Sequence, residues 1–434
     1  MSGGLSSEPS LSPRRVAYIV RSWPRLSQTF VVNEILAQER LGTRLDLYSL
    51  ARSGERLVQP EVQAVAAAVH YLDGRRRHPW LDALRDHAIV ARSAPLAYGR
   101  TLVFAALRPQ LARGYATLST LGCLAVAVRL GAAIHRTRLE GAPIEHVHAH
   151  FAHDPALVAL LTGRLTGVPY SVTAHARDLY QIPVPSLHAR ARDAAAVVTC
   201  CAANVDYLRS VLPPELHPRL RLIHHGVELD RFVPAPRPAA TPPPVEVLSV
   251  GRLVEKKGFP DLLHACRELK DTSAQGRAPF RLRIYGDGPL RDELTGLRDR
   301  LGLQEEVELV GERNGEDVLR AYQRADVFAL TPCVTADGDR DGVPNVIVEA
   351  MACGLPVVTT DAGGVAEVVR HGVNGLVGPP RDVAALVRHL AELIGDAGRR
   401  RALGEAGRRM AEERFDVRSA ARELSVVFAG AARP

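Results

Sequence analysis

Short apolar runs alternate with segments of helical periodicity along most of the chain. Residues 16–20 form an apolar run that predicts a buried strand. In residues 31–41 the apolar positions recur three and four apart, which predicts a helix, and residues 45–50 predict the next strand. Because buried parallel strands need helices on both faces of their sheet, this βαβ opening indicates an α/β domain.

The alternation continues on both sides of a proline-rich stretch, residues 234–244, which is too stiff to join a sheet. Residues 79–138 and the stretch from about Asp396 are predicted to be helical. Further strands are predicted at residues 144–150, 170–173, 195–199, 220–223, 245–250, 281–285, 307–310, 327–330 and 356–359. The pattern therefore predicts an α/β fold of two Rossmann-like domains that face each other across a cleft.

This organisation divides the chain into five parts. We expect a disordered lead (1–13), a first Rossmann-like domain (14–233), the linker (234–244), a second such domain (245–415) and a C-terminal helix (416–434). The most membrane-like window, residues 114–128, would rise only about 22 Å as a helix, against a hydrocarbon core of about 30 Å. A buried helix is the better interpretation of that window.

Composition and charge exclude few classes of function. Apolar residues make up 46% and charged residues 24% of 434 positions, which is ordinary globular usage. A net charge of +7 allows phosphorylated substrates, anionic membranes or nucleic acid and selects none of them. The six cysteines form no CxxC pair, and the N-terminus has no apolar signal segment. We therefore expect a cytoplasmic protein, with peripheral contact at the inner face of the membrane.

Three motifs carry candidate chemistry. In GRLVEKKG (251–258), Arg252 and Lys257 place two cations at the carboxyl end of a strand, which suits a diphosphate. In DGVPNVIVEAMA (341–352), Asp341 precedes a helix and Glu349 lies inside it, so both carboxylates can face one cleft and accept hydroxyl hydrogen bonds. In DAGGVAE (361–367), paired glycines open a helix and expose amides to an anion. Taken singly, each motif also fits an ordinary surface loop or helix cap.

Together, these strings resemble glycosyltransferase family 4, a group of retaining GT-B enzymes that use nucleotide-activated sugars. The resemblance also includes GDGPL (286–290) and HGVNG (371–375) and is strongest over residues 225–381. In the first half, TAHARD (173–178) and IHHGVE (223–228) are similar to family segments. Residues 21–34, with SQTF, resemble the branch that contains colanic-acid-type exopolysaccharide transferases.

The resemblance implies a role for each matching residue. It implies that Arg252 and Lys257 hold the donor diphosphate, that Glu349 binds the ribose hydroxyls, and that Asp341, where the family usually has Glu, lies near the donor sugar. His175 would contact the donor sugar, and Asn345, Gly363 and Gly364 would belong to the nucleotide-sugar site, the two glycines through their amides. His175, Asp341, Arg252 and Lys257 form the predicted catalytic set.

The resemblance also implies the substrates and partners. The second domain would bind a nucleotide-diphosphate sugar, and the first would bind a carbohydrate, lipid-linked or small-molecule acceptor. The last helix, from about Asp416, would cross back to the first domain. No metal and no cofactor are expected, and nucleic acid is not expected as a partner, whereas the first domain would contact the membrane peripherally.

Several alternatives stay open from the residues alone. Asp337, Asp339 and Asp341 begin like a calcium loop and contain an Asp-x-Asp sequence typical of metal–diphosphate sites. The dense histidines at positions 146, 148, 150 and 153 could form a zinc site, although histidines at the mouth of the cleft are the favoured interpretation. Alternative functions are a sugar-nucleotide epimerase or phosphorylase, a non-catalytic sugar-nucleotide sensor, and a basic nucleic-acid binder.

Overall fold

The computed structural model describes residues 15–26, 28–55, 58–73, 78–114, 117–236, 243–273 and 279–430. The lead predicted for residues 1–13 lies outside these ranges, and so do residues 237–242 of the predicted linker.

Seven parallel strands form the sheet of the first domain. They are β1 (Arg15–Trp23), β2 (Arg44–Arg52), β3 (Ala68–Tyr71), β4 (His146–His150), β5 (Tyr170–Ala174), β6 (Ala196–Thr199) and β7 (Leu220–Leu222). Their spatial order is β3-β2-β1-β4-β5-β6-β7. The central strands are buried on both faces, which explains the apolar run of β1, while β4 also buries three histidines.

The described part of the first domain contains eight α-helices. They are α1 (Thr29–Arg40), α2 (Pro79–Ser93), α3 (Pro95–Ala106), α4 (Thr120–Leu139), α5 (Asp154–Thr166), α6 (Ala176–Tyr180), α7 (Val184–Arg192) and α8 (Ala202–Val211). Of these, α2 and α3 pack on other helices. α4 begins after Ser119, whose side chain accepts a hydrogen bond from the amide of Gly122 at 3.0 Å. The helix predicted for residues 114–128 therefore exists but begins later than predicted, because of this cap.

Six parallel strands form the sheet of the second domain. They are β8 (Val245–Val250), β9 (Phe280–Tyr285), β10 (Val307–Gly311), β11 (Val327–Leu330), β12 (Val357–Thr360) and β13 (Gly375–Gly378), in the order β10-β9-β8-β11-β12-β13. The helices that follow are α9 (Phe259–Ser273), α10 (Arg291–Arg300), α11 (Gly315–Arg324), α12 (Asn345–Ala352), α13 (Val383–Gly395), α14 (Ala397–Arg414) and α15 (Val417–Gly430).

The last helix, α15, packs against the first domain. The side-chain amide of Gln38 in α1 donates to the carbonyl oxygen of Ala421 at 2.7 Å, and Ser425 Oγ donates to Gln38 Oε1 at 2.9 Å. Phe428 is buried against the histidines of β4. The chain thus crosses between the domains twice, once on each side of the second domain.

The predicted α/β fold of two Rossmann-like domains is confirmed, and two strands were missed. β3 is a half-exposed edge strand, so it lacks a buried apolar run, and β13 is a four-residue strand that begins and ends with glycine. In the described ranges, no helix combines the length and the apolar character needed to cross a bilayer. The six cysteines are buried free thiols.

The strand order determines where a ligand can bind. It reverses between β1 and β4 in the first sheet and between β8 and β11 in the second, and ligands of such sheets bind at the carboxyl ends of the strands near this reversal. The loops at these ends, from both sheets, line one cleft of about 800 Å³. The candidate site therefore lies between the two domains.

Candidate active site

Glycines bring two loops of the second domain close together at the cleft. Gly286, after β9, has a φ of +138°, and a Cβ atom there would lie 2.0 Å from the carbonyl oxygen of Gly251, after β8. Only glycine fits both the conformation and the contact. This packing holds the 251–258 loop, and with it Arg252, at the cleft.

Arg252 is an exposed cation that lines the cleft. Within the described ranges, its guanidinium has neither a carboxylate nor a hydrogen-bond partner. An arginine fork that is not already neutralised can make two parallel hydrogen bonds to phosphate oxygens. The structure thus places a free cation where the sequence predicts the donor diphosphate.

Lys257 lies in the same loop, but its ammonium group is paired. Its Nζ atom is 2.6 Å from Asp341 Oδ2, and Lys256 Nζ is 3.3 Å from the other oxygen of that carboxylate. Burial alone would raise the pKa of Asp341, but Lys257 and then Lys256 lower it below its ordinary value. Asp341 is therefore a carboxylate that neutralises the lysines and lies at the floor of the cleft.

The acidic stretch that begins like a calcium loop makes contacts of the same kind. Asp339 Oδ1 accepts from Lys256 Nζ at 3.1 Å, and Asp337 accepts from the hydroxyl of Thr335. Two of the three acids thus face lysine ammonium groups.

Glu349 lies in α12 and lines the cleft, although only 9% of the residue is exposed. Tyr322 Oη donates to Glu349 Oε2 at 2.9 Å. Burial raises the pKa of Glu349 above its ordinary value, while the Tyr322 hydrogen bond and Arg231 oppose that rise.

Asn345, the first residue of α12, lines the same part of the cleft. Tyr322 was not predicted, because a tyrosine within an amphipathic helix such as α11 carries no signal of its contacts.

The paired glycines after β12 lie behind the site. Gly363 has a φ of +64°, and a Cβ atom there would lie 2.0 Å from the carbonyl oxygen of Asp341. The amide of Gly364 donates to the carbonyl oxygen of Gly342 at 3.0 Å, and neither glycine lines the cleft. For Gly364 the structure therefore differs from the prediction that its amide faces the ligand, whereas the role of the Gly363 amide stays a prediction. In this structure the glycines allow close packing against the Asp341 loop.

His175 faces the cleft from the first domain. It follows β5, and its backbone amide donates to Asp178 Oδ1 at 2.7 Å, which anchors the start of α6. Both nitrogens of its ring are buried and have no hydrogen-bond partner within the described ranges. Burial, followed by the nearby His225, lowers the pKa of His175 well below its ordinary value, so the ring is neutral at physiological pH.

A stack of rings continues from His175 along this wall. The ring centroid of His225 lies 5.1 Å from that of His175 and 4.4 Å from that of Phe30. All three side chains line the cleft. His225 and Phe30 belong to sequence strings that resemble the family, yet no role was predicted for either of them.

The other histidines predicted to line the cleft do not do so. His146, His148 and His150 lie on one face of β4 and are fully buried beneath α1 and α15. Glu34 Oε1 accepts from Tyr18 Oη at 2.5 Å and is 2.9 Å from His150 Nε2. His153, before α5, is also buried and does not line the cleft. The favoured interpretation of these four as cleft histidines was therefore wrong, because the three of β4 point into the core rather than along the strand axis.

Glu34, His148 and His150 also form a cluster with metal-binding groups. One ligand atom from each lies within 4.8 Å of the others. Both ring nitrogens of His148 already contact hydroxyl groups, at 2.8 Å from Ser171 Oγ and 3.1 Å from Thr173 Oγ1. Burial would raise the pKa of Glu34, but His150 and other neighbours lower it to about 2. Hydrogen bonds thus satisfy both ring nitrogens of His148 and the Nε2 atom of His150.

Comparison with known proteins identifies the family. The family model described as "Glycosyl transferases group 1" matches residues 237–410. A GDP-mannose-dependent alpha-(1-6)-phosphatidylinositol monomannoside mannosyltransferase of Mycobacterium tuberculosis is 34% identical over 286 residues, which are 61% of this chain and 72% of that protein. The chain belongs to the glycosyl transferases group 1 family.

Further relatives agree with this family. The putative colanic acid biosynthesis glycosyltransferase WcaL of Salmonella typhimurium is 27% identical over 405 residues, 87% of this chain and 90% of that protein. WcaL of Escherichia coli is 42% identical over 167 residues, and this match spans only 40% of that protein. The structure of Anabaena Alr3699/HepE in complex with UDP-glucose superposes with a TM-score of 0.69 at 17% identity, covering 96% of this chain and 99% of that one.

These findings confirm three predictions about this group 1 transferase. The chain is a glycosyltransferase, its relatives include the colanic-acid-type branch, and its fold is the two-domain GT-B architecture. The predicted roles of individual site residues stay predictions, now with defined positions in the cleft.

Proposed function

We propose that this glycosyltransferase moves a sugar from a nucleotide diphosphate to an acceptor hydroxyl with retention of configuration. The observation that carries the proposal is the gathering of Arg252, Lys257 and Glu349 on one wall of the cleft, with His175 on the other. Cations and a buried carboxylate at the ends of parallel strands suit a diphosphate and a ribose diol, respectively.

Each of these residues takes a distinct role. Arg252 and Lys257 stabilise the charge that develops on the departing diphosphate, and Lys257 exchanges its contact with Asp341 for a phosphate oxygen. Glu349, oriented by Tyr322, accepts hydrogen bonds from the ribose hydroxyls, and Asn345 adds a polar contact beside it. His175 offers its two unpartnered ring nitrogens to hydroxyls of the donor sugar.

The reaction exchanges one bond at the anomeric carbon for another. The bond between that carbon and the phosphate oxygen breaks, and a bond to the acceptor oxygen forms on the same face. The proton of the acceptor hydroxyl passes to the departing phosphate oxygen. The protein supplies fixed charges and exclusion of water, and it needs no metal ion in this scheme.

A panel of sugar nucleotides tests this proposal. The melting temperature should rise with at least one UDP-, GDP- or ADP-sugar, and the same compound should release free nucleotide diphosphate when an acceptor is present. An epimerase would convert the donor without acceptor, and a sensor would bind it without turnover. Failure of every sugar nucleotide to raise the melting temperature would contradict the proposal.

We also propose that the outer face of α2 and α3 contacts an anionic membrane surface. Trp80, Leu84 and Leu96 are 83%, 66% and 75% exposed, and they project from helices whose inner faces pack on the domain. Arg92 and Arg100 are exposed on the same helices. Exposed apolar side chains beside arginines suit a surface of anionic lipid headgroups and acyl chains.

Vesicle sedimentation tests the membrane contact. The protein should sediment with phosphatidylcholine vesicles that contain phosphatidylglycerol, should sediment less with pure phosphatidylcholine, and should be released by high salt. Trp80→Ser combined with Leu84→Ser should reduce binding at least fivefold, because both apolar anchors are lost. Val373→Ser with Val426→Ser removes two exposed valines elsewhere, 58% and 61% exposed, and should change nothing. Equal binding by the two double variants would contradict the contact.

A further inference from the structure

Three buried polar atoms on the first-domain wall of the cleft lack a hydrogen-bond partner. They are Gln28 Oε1, Gln59 Oε1 and His225 Nε2, and within the described ranges no protein atom satisfies them. All three side chains line the cleft. Leaving such a group unsatisfied costs about 1–3 kcal/mol, so three together on one wall indicate a ligand that satisfies them.

The orientation of Gln59 shows what kind of partner is missing. Its Nε2 atom donates to the carbonyl oxygen of Arg25 at 3.0 Å and also to that of Leu26. These bonds fix the amide, so Oε1 is the free end and can only accept. Gln28 precedes α1 and makes no side-chain capping bond to it. The free oxygen of Gln59 therefore requires a ligand that donates a hydrogen bond, as a hydroxyl group does, and Gln28 can turn its amide oxygen toward the same ligand.

An aromatic face lies beside these acceptors. Phe30 stacks on His225 with ring centroids 4.4 Å apart and an interplanar angle of 28°. Phe30 is partly exposed at the cleft, and its ring can contact the C–H face of a sugar ring. A pyranose fits an aromatic ring that has, at its edge, atoms able to accept hydrogen bonds from hydroxyl groups.

Two arginines on this wall already pair with carboxylates. Arg25 Nη1 lies 3.5 Å from Glu55 Oε1, and Arg231 pairs with both Glu61 and Glu316. These arginines line the cleft but are neutralised before any ligand arrives, unlike Arg252 on the opposite wall. Around Gln28 and Gln59, this wall therefore favours a neutral ligand over a phosphate or a carboxylate.

We propose that Gln28, Phe30, Gln59 and His225 form the acceptor subsite and that the acceptor group bound there is a neutral pyranoside ring. Gln28 and Gln59 accept hydrogen bonds from its hydroxyls, His225 Nε2 contacts a further hydroxyl, and Phe30 packs against its C–H face. The assignment of this sugar as the acceptor rests on the proposed function, in which the nucleotide diphosphate of the donor occupies the opposite wall.

Saturation-transfer NMR with methyl α-glucoside, methyl α-galactoside and methyl α-mannoside tests the subsite on the full chain. At least one glycoside should bind, and its signal should persist when an intact sugar nucleotide is added. Gln28→Leu should weaken that binding at least threefold, because one hydroxyl contact is lost. Its melting temperature should not fall below the wild-type value, because the deleted oxygen has no partner in the protein.

Gln110→Leu is the matched control, since it makes the same change at an exposed position outside the cleft. Three outcomes would overturn the subsite: no glycoside binds, the sugar nucleotide displaces the glycoside, or Gln28→Leu and Gln110→Leu bind it equally. Nucleotide binding, measured separately by the shift in melting temperature, tests the proposed function itself. A protein that binds nucleotides but no glycoside would refute only the subsite.

Discussion

The two walls of the cleft are built by the same kind of fold, but they carry different chemistry. The second-domain wall presents an unpaired arginine, paired lysines and a buried carboxylate. The first-domain wall presents stacked rings, side-chain amide oxygens and arginines that already form ion pairs with carboxylates. Each wall thus suits one half of a transfer reaction, an anionic leaving group on one side and a neutral sugar on the other.

The difference also explains which wall is easier to recognise in a sequence. Arg252, Lys257, Asp341 and Glu349 belong to two short motifs, so their neighbours along the chain identify them. The first-domain wall is assembled from the segments after six different strands, and Gln28, Gln59 and His225 come from three of them. Substitutions on the two walls should therefore separate binding of the nucleotide from use of the sugar.

The largest effect on catalysis is expected from substitution of Arg252, the unpaired cation of the second-domain wall. Arg252→Ala should lower kcat/KM for the donor at least a hundredfold, because a charged donor to the leaving diphosphate is lost. Steady-state kinetics with the active sugar nucleotide measures this effect. Arg300→Ala, at the exposed end of α10, should behave like the wild type. A near-wild-type value for Arg252→Ala would show that the diphosphate binds elsewhere.

Removal of the buried carboxylate should mainly weaken nucleotide binding. Glu349→Ala should raise the Kd for UDP or GDP at least tenfold, because both ribose hydrogen bonds are lost. Calorimetry measures this change, and circular dichroism checks that the fold is intact. Unchanged affinity would remove Glu349 from the site.

The variant Glu349→Gln separates the role of Glu349 in nucleotide binding from its effect on the stability of the protein. Since burial raises the pKa of Glu349, any stability linked to its protonated form is present at low pH and is lost as pH rises through the folded pKa. The glutamine variant should therefore melt at a higher temperature than the wild type at pH 7 and show no such advantage near pH 4. A lower melting temperature at pH 7 would contradict this account of Glu349.

His175 should affect turnover more than nucleotide binding. His175→Phe keeps a ring in the stack but removes both nitrogens, so kcat should fall about fivefold to tenfold, in line with the loss of one or two neutral hydrogen bonds. The Kd for free UDP or GDP should stay within twofold of the wild type. Weaker nucleotide binding without a change in kcat would reverse the assignment of the two walls.

Substitution of Glu34, which lies beneath the first-domain wall, should have the smallest effect on catalysis. It should have a distinct effect on stability. The pKa of Glu34 is lowered to about 2, so the stability from its ionised form is present above its unfolded pKa and is lost as pH falls toward 2. Glu34→Gln should destabilise the protein at pH 7 by about 3 kcal/mol and flatten the loss of stability below pH 5. Urea unfolding at several pH values measures this, with the exposed Glu140→Gln as control.

Much of the fold could be predicted because buried parallel strands leave a clear apolar signature. β3 and β13 lack that signature, one being a half-exposed edge strand and the other framed by glycines. In the site, the sequence placed Arg252 and Glu349 at the cleft, since motif position follows strand ends. It could not reveal that Gly364 donates its amide to Gly342, or that His148 faces the core, because these depend on which loops meet in space.

The most direct test of the central claim is a crystal structure of the protein grown with saturating UDP or GDP. The account predicts that the diphosphate lies between Arg252 and Lys257 and that the ribose hydroxyls contact Glu349. It also predicts that Asp341 no longer pairs with Lys257. A nucleotide bound elsewhere, or a cleft that stays empty at saturation, would contradict it.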